Sequence, residues 1–167
     1  ARTYVETTDD VAGVEMAGCA KNVAALAAAA AMGGGPNAAG AAAGRVWAEI
    51  VRWAADRGAR LDTFAGLAGA GDLVATVLAE GSRNRRAGEK LAAGVPISQI
   101  EEEVGQAIES LDTVPLLAAK MAQDGARAPE TRMLARLVAG QIEPERWRER
   151  VTTSKLPRRK SLRSANG

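Results

Sequence analysis

The 167-residue sequence contains no histidine, a single cysteine, one phenylalanine and one tyrosine. Without histidine there is no imidazole to ligate a metal or to move protons near neutrality. The lone Cys19 excludes an internal disulfide and any multi-cysteine zinc site, and it suits a reducing compartment. Aromatic residues make up 3% of the chain against 47% hydrophobic residues, carried largely by alanine, so its elements must approach closely on small side chains. Helices do this well and sheets do it badly. Long apolar runs are lacking too. The longest, Met16 to Met32, is interrupted by Lys21 and Asn22 and reads as too short to span a membrane. No charged-then-apolar signal pattern opens the chain. The expectation is a soluble, cytoplasmic protein with no membrane span. Its first residues, Ala1-Arg2-Thr3 rather than methionine, read as a processed or partial chain.

Net charge is small, +2 from 22 Lys and Arg against 20 Asp and Glu. Five of those cations, Lys155, Arg158, Arg159, Lys160 and Arg163, fall in residues 151–167 beside no acid. Residues 1–150 therefore carry 17 cations against 20 acids, a net −3. A mildly acidic body argues against specific nucleic-acid binding, and a basic flexible tail at 151–167 gives only weak, salt-sensitive attraction to anionic surfaces.

What is present is a succession of helical patterns. Residues 3–7 read as a short strand with no later partner in the chain. A small-residue helix follows from Val11 to Ala31, ended by Gly33-Gly34-Gly35-Pro36-Asn37. A second runs from Ala38 to Arg57, with Val46, Trp47, Ile50, Val51 and Ala54 on one stripe and Arg45/Glu49 and Arg52/Asp56 as ion pairs on the polar side. Gly58 reads as its C-cap. A short turn of helix at Asp62-Thr63 leads into Gly66-Leu67-Ala68-Gly69-Ala70-Gly71-Asp72, then a helix over 73–79. Gly81-Ser82-Arg83-Asn84 interrupts before a helix to Ala93. Ser98-x-x-Glu101 reads as a capping box. A helix over 106–123 should kink or break at Pro115. Pro129 to Ala139 and a short helix around Trp147 complete an all-α domain.

Three places offer chemistry. Lys21 lies among Ala17, Gly18, Ala24 and Ala25 on its helix. A desolvated amine is how lysine becomes a useful acid or base near neutrality, whereas the ordinary reading is a side chain snorkelling to water. Asp72 follows a glycine-rich turn, as a helix N-cap or as a carboxylate aimed at a polar ligand or at Lys21. Thr76 shares its helix face. Ser82-Arg83-Asn84-Arg85-Arg86 at the mouth of a helix suits a phosphate, or is simply a solvated basic turn.

In order, these segments resemble the NAD(P)-dependent glycerol-3-phosphate dehydrogenases, in their C-terminal substrate domain. The resemblance rests on Asp10-Val11-Ala12-Gly13-Val14-Glu15 running into Lys21-Asn22, on Gly66 to Leu73, on Thr76, on Ser82 to Arg86 and on Gly105-Gln106-Ala107-Ile108-Glu109. It covers about residues 3 to 140. It implies a compact multi-helix bundle of the 6-phosphogluconate-dehydrogenase C-terminal-domain type, spanning 11–150. Residues 1–10 would be the end of a Rossmann domain absent from this chain. It further implies interconversion of dihydroxyacetone phosphate and sn-glycerol 3-phosphate with NAD or NADP, and pairing into a homodimer through this half. By position, Lys21 matches the catalytic lysine; Lys21, Asp72, Ser82, Arg83 and Asn84 match substrate-binding residues; and Arg83, Ala107 and Glu109 match cofactor contacts. Ala107 stands where the family has a bulkier aliphatic residue and Ser110 where it has glycine. The alternatives are a related dehydrogenase acting on another keto substrate and a non-catalytic helical interaction module.

Overall fold

The computed structural model describes residues 5–153, and the described residues form nine α-helices and no strand. α1 (Val11–Ala31) is the central element, and every residue from Val23 to Ala31 is buried. A helix buried on all sides must present small residues to all its neighbours, which is what its alanine run supplies. α2 (Pro36–Ala55) turns back after a 3₁₀ turn at Met32–Gly34, with Pro36 in its first turn. Gly58 closes α2 as expected: Gly58 N–H donates to Ala55 O (3.0 Å) and Ala59 N–H to Ala54 O (3.2 Å). α3 (Leu61–Ala65), a π-helical turn (Leu67–Gly71) and α4 (Asp72–Leu78) pass across one side of α1. α5 (Arg83–Ala92) crosses α1 at Gly88, where a Cβ would lie 2.5 Å from Ala29 Cβ and 2.6 Å from Leu26 O. Only glycine permits that approach. α6 (Ile97–Val104), α7 (Glu109–Gln123), α8 (Pro129–Val138) and α9 (Pro144–Thr153) complete the bundle. The fully buried Trp147 of α9 donates its indole N–H to Ala27 O of α1 at 3.4 Å.

Several expectations are corrected. The strand read over 3–7 is absent from residues 5–7, where no neighbouring strand offers a ladder, and residues 3–4 lie outside the described residues. α7 begins at Glu109 and runs unbroken through Pro115. The missing proline N–H is tolerated because Val114, Leu117, Ala118 and Met121 are buried on the same helix. The capping box at Ser98 is not formed: α6 starts at Ile97 after Pro96, so Ser98 lies inside it, and Glu101 binds elsewhere.

Glu49 is not on a polar face paired with Arg45 but is 5% exposed. Its carboxylate accepts Glu130 N–H (3.0 Å), Thr131 N–H (2.8 Å) and the Thr131 hydroxyl (2.8 Å), capping α8 from α2. Glu130 in turn takes both arms of Arg150 (2.9 and 3.1 Å). Burial pushes the Glu49 carboxyl up despite those hydrogen bonds. Finally, α9 carries three residues into the segment read as a tail, because Val151 is buried against the core; residues 154–167 lie outside the described residues.

Among the described residues, two helical stretches reach membrane-spanning length and hydropathy, Val11–Gly34 and Leu61–Leu78. The apolar run thus extends further than its reading as Met16 to Met32 suggested, but 61% of the first window is buried inside the bundle, as in a core helix. Only 11% of the second is buried, and Leu67, Val74 and Leu78 are exposed.

Candidate active site

Lys21 and Asn22 sit side by side on α1, just before its fully buried run. Their side chains diverge to two different helices, so α1 becomes the floor of a site walled by α4 and α5. Lys21 Nζ forms an ion pair with Asp72 Oδ2, joining residues 51 apart in sequence. The lysine side chain is 22% exposed and the aspartate 43%, so the pair is reachable from solvent.

Asp72 does not cap α4. The π-helical turn already has Gly71 in helical conformation (φ −60°, ψ −50°), so no helix start remains to be capped and the carboxylate is free to reach α1. The turn is held by Gly71 N–H to Gly66 O at 3.1 Å, and it folds tightly on α3: a Cβ at Gly69 would meet Phe64 O at 2.2 Å. The glycines of this run therefore serve to set Asp72 over Lys21. Thr76, one turn along α4, is half-buried.

On the other wall, Asn84 Nδ2 donates to Asn22 Oδ1 at 2.9 Å. The Ser82–Asn84 segment, read as a break, is instead the start of α5. Ser82 is its N-cap, its hydroxyl accepting Arg85 N–H at 3.4 Å, and Arg83 and Asn84 form the first helical residues. Amides in a helix's first turn have no partner within the helix, and the helix dipole favours an anion there. Arg83 is exposed and donates through Nη1 to Ala107 O at 3.2 Å, reaching the link between α6 and α7. Arg85 is engaged with Glu89 of its own helix, and Arg86 is exposed. Ala107 and Glu109 are exposed at the α6–α7 corner.

Lys21, Asp72, Asn84, Arg83 and Ala107 are thus linked in one chain of contacts along α4, α1, α5 and the α6–α7 corner. Asn22 is the member that residue-by-residue reading passed over as a partner; its place beside Lys21 was the available signal. Another, Asp10, had only its helix-capping type to mark it. Its carboxylate accepts Gly13 N–H (3.0 Å), Arg60 N–H (3.0 Å) and the Thr63 hydroxyl (2.6 Å), tying the start of α1 to α3. The Thr63 bond chiefly holds its carboxyl below the usual range. A cavity of about 720 Å³ lies on this side, between Thr8, Val14, Arg60, Thr63 and Leu67, and neither Lys21 nor Asp72 lines it.

Residues 10–149 match the family described as NAD-dependent glycerol-3-phosphate dehydrogenase C-terminus. A glycerol-3-phosphate dehydrogenase [NAD(P)+] of Thiobacillus denitrificans is 42% identical over 132 residues, covering 78% of this chain and 40% of the relative. One from a Synechococcus species is 40% identical over 159 residues, covering 92% and 50%. A crystal structure of glycerol-3-phosphate dehydrogenase from Coxiella burnetii superposes with a TM-score of 0.85 at 32% identity, covering 92% of this chain and 48% of that one. The chain spans about half the length of these relatives or less. Helical architecture, sequence and family profile agree: this chain belongs to the NAD-dependent glycerol-3-phosphate dehydrogenase family, in its C-terminal domain.

Proposed function

We propose that this chain is the substrate half of a glycerol-3-phosphate dehydrogenase, which interconverts dihydroxyacetone phosphate and sn-glycerol 3-phosphate once a nucleotide-binding domain completes it. The observation that carries the reading is the Lys21–Asp72 ion pair, set beside the Asn22–Asn84 bond at the mouth of α5. Reduction of a ketone places negative charge on the C2 oxygen, which requires a cation and then a proton. The Lys21 ammonium supplies both, and in the reverse direction its amine takes the proton back. Asp72 restrains that ammonium on α1 through the ion pair. Arg83, with the first amides of α5, receives the substrate phosphate, whose binding energy fixes the carbonyl without touching the reacting bond. Asn84 directs its amide N–H₂ to Asn22, which orients its carbonyl oxygen away and leaves the Asn22 N–H₂ for a substrate hydroxyl.

The residues fit a nicotinamide cofactor on one side only. Ala107 and Glu109 are exposed next to Arg83 and suit contacts to a nucleotide approaching from outside the bundle. The only triple-glycine turn, Gly33–Gly35, connects two helices rather than a strand and a helix, so the pyrophosphate cradle belongs elsewhere. When bound, the reduced form of NAD or NADP would supply the hydride for ketone reduction, and the oxidised form would accept it in the reverse direction. The partner domain is the one that the longer relatives carry beyond the matched region, and residues 1–10 are read as its end, with 11–150 as the substrate domain. We place the protein in the cytoplasm, where a lone, half-buried Cys19 with no disulfide partner suits a reducing compartment.

Calorimetric titration of the chain with sn-glycerol 3-phosphate tests the substrate assignment, with glycerol and inorganic phosphate as controls. Saturable binding that needs both halves of the ligand and disappears in Arg83→Ala is expected. Binding of equal strength in Arg83→Ala would remove that residue from the phosphate site. In a protein completed with a nucleotide domain, Lys21→Ala should cut kcat by at least about a hundredfold while leaving cofactor affinity unchanged.

A further inference from the structure

Glu101 was marked by its spacing from Ser98, yet its side chain does something else. It leaves α6 and accepts the Ile108 N–H at Oε1, 2.9 Å away. Ile108 is 1% exposed and is the N-cap of α7, with no side chain of its own to satisfy the helix start. Between them the link turns at Gly105 (φ +77°) and presents the Ala107 carbonyl, which accepts Arg83 Nη1 at 3.2 Å. Three helices meet at this corner through two hydrogen bonds made to adjacent residues of one short link.

We propose that Glu101 is a positioning residue for the Arg83 guanidinium, acting through the backbone of the α6–α7 link. It rests on the reading of Arg83 as the phosphate-binding arm. A guanidinium has five donors in a rigid plane, and an oxyanion is best taken by two of them along one edge. With Nη1 committed to Ala107 O, rotation of the group is stopped and Nε with Nη2 remains available as the bidentate edge. The acceptor is a main-chain carbonyl, so its direction depends on the peptide planes of the link. Glu101 fixes the next N–H along and thereby those planes. The charged carboxylate is a stronger acceptor than water for an amide that is otherwise buried.

The test uses nitrogen-15 spectra of the arginine side chains in the 167-residue chain. Resolved Nη signals for Arg83, reporting restricted rotation, are expected in the wild type, in contrast to averaged signals for the exposed Arg86. Glu101→Ala should average the Arg83 signals, and Glu101→Gln, which keeps an oxygen acceptor, should restore them. sn-Glycerol 3-phosphate should bind about fivefold more weakly to Glu101→Ala than to wild type or Glu101→Gln. A purely structural role would lower the Tm of Glu101→Ala yet leave the Arg83 signals as in wild type, and that result overturns the proposal. So does a Glu101→Gln variant that behaves as Glu101→Ala. If wild type shows no affinity for sn-glycerol 3-phosphate, the reading of Arg83 as the phosphate arm fails, while the spectra still decide whether Glu101 positions it.

Discussion

α1 and α4 meet at one ion pair but are held by opposite means. α1 is enclosed: its second half has no exposed residue, and α2, α5, α7 and α9 pack around it. α4 has no buried residue at all, and Val74 and Leu78 face solvent at 57% and 71% exposure. One partner of the pair is fixed by packing, the other by a π-helical turn and the pair itself. On the proposed reading, a site built this way holds Lys21 on the packed helix while the α4 wall stays adjustable.

The contrast can be broken most severely from the packed side. Gly88→Ala drives a methyl into Leu26 O and Ala29, and should cost about 3 kcal/mol by overpacking, read as a fall in the denaturation midpoint. An unchanged midpoint would mean that α5 slides freely on α1. Glu49→Ala follows, at about 2–3 kcal/mol, since it strips a buried charged acceptor from two amides and a hydroxyl. Its pH behaviour sharpens the test. Because burial raises the Glu49 carboxyl above its ordinary 4.5, the folded protein holds that proton longer than the unfolded chain. The contribution of Glu49 to stability is therefore greatest below pH 4.5 and declines as pH rises through the raised value. The Tm difference between wild type and Glu49→Gln should accordingly move in favour of the variant from pH 4 to 7, and a constant difference would contradict the assignment.

Two smaller effects lie nearer the site. Ser110 Oγ is fully buried and has no hydrogen-bond partner among the described residues. Ser110→Ala should therefore raise stability by about 1 kcal/mol, and a loss of that size would reveal a partner for the hydroxyl. Asp72→Asn should cost only about 0.5 kcal/mol globally, as expected for a partly exposed pair. Its signature is local: faster amide exchange over α4 with α1 unchanged. Uniform acceleration across both helices would show that α4 is as tightly coupled to the core as α1.

Most helices were legible because their apolar spacing and their stops are local properties. Gly58 ends α2 where the pattern puts it, and Pro129 opens α8 as read. What escaped was decided by tertiary partners. Glu49 carries a charge at a position that local spacing assigns to the surface, and only α8, eighty residues on, makes its burial affordable. Glu101 satisfied the spacing of a capping box but found a distant amide instead. Pro115 breaks helices in isolation, yet here the buried face of α7 outweighs its lost hydrogen bond. At the site, the types Lys21, Asp72, Arg83 and Asn84 stood out through their combination. The pairing of Asn22 with Asn84 could not be read, since nothing in either segment points to the other.

The Asp10 carboxylate described above has a mechanical consequence. It grips the first turn of α1 and the first turn of α3 at once, while Arg60 also holds Asp9 and Thr8 of the segment leading in. A displacement of that segment is therefore shared by both helices. α3 continues within a few residues into the turn that carries Asp72, so movement upstream of Val11 has a short lever to the ion pair. It acts without touching either charge.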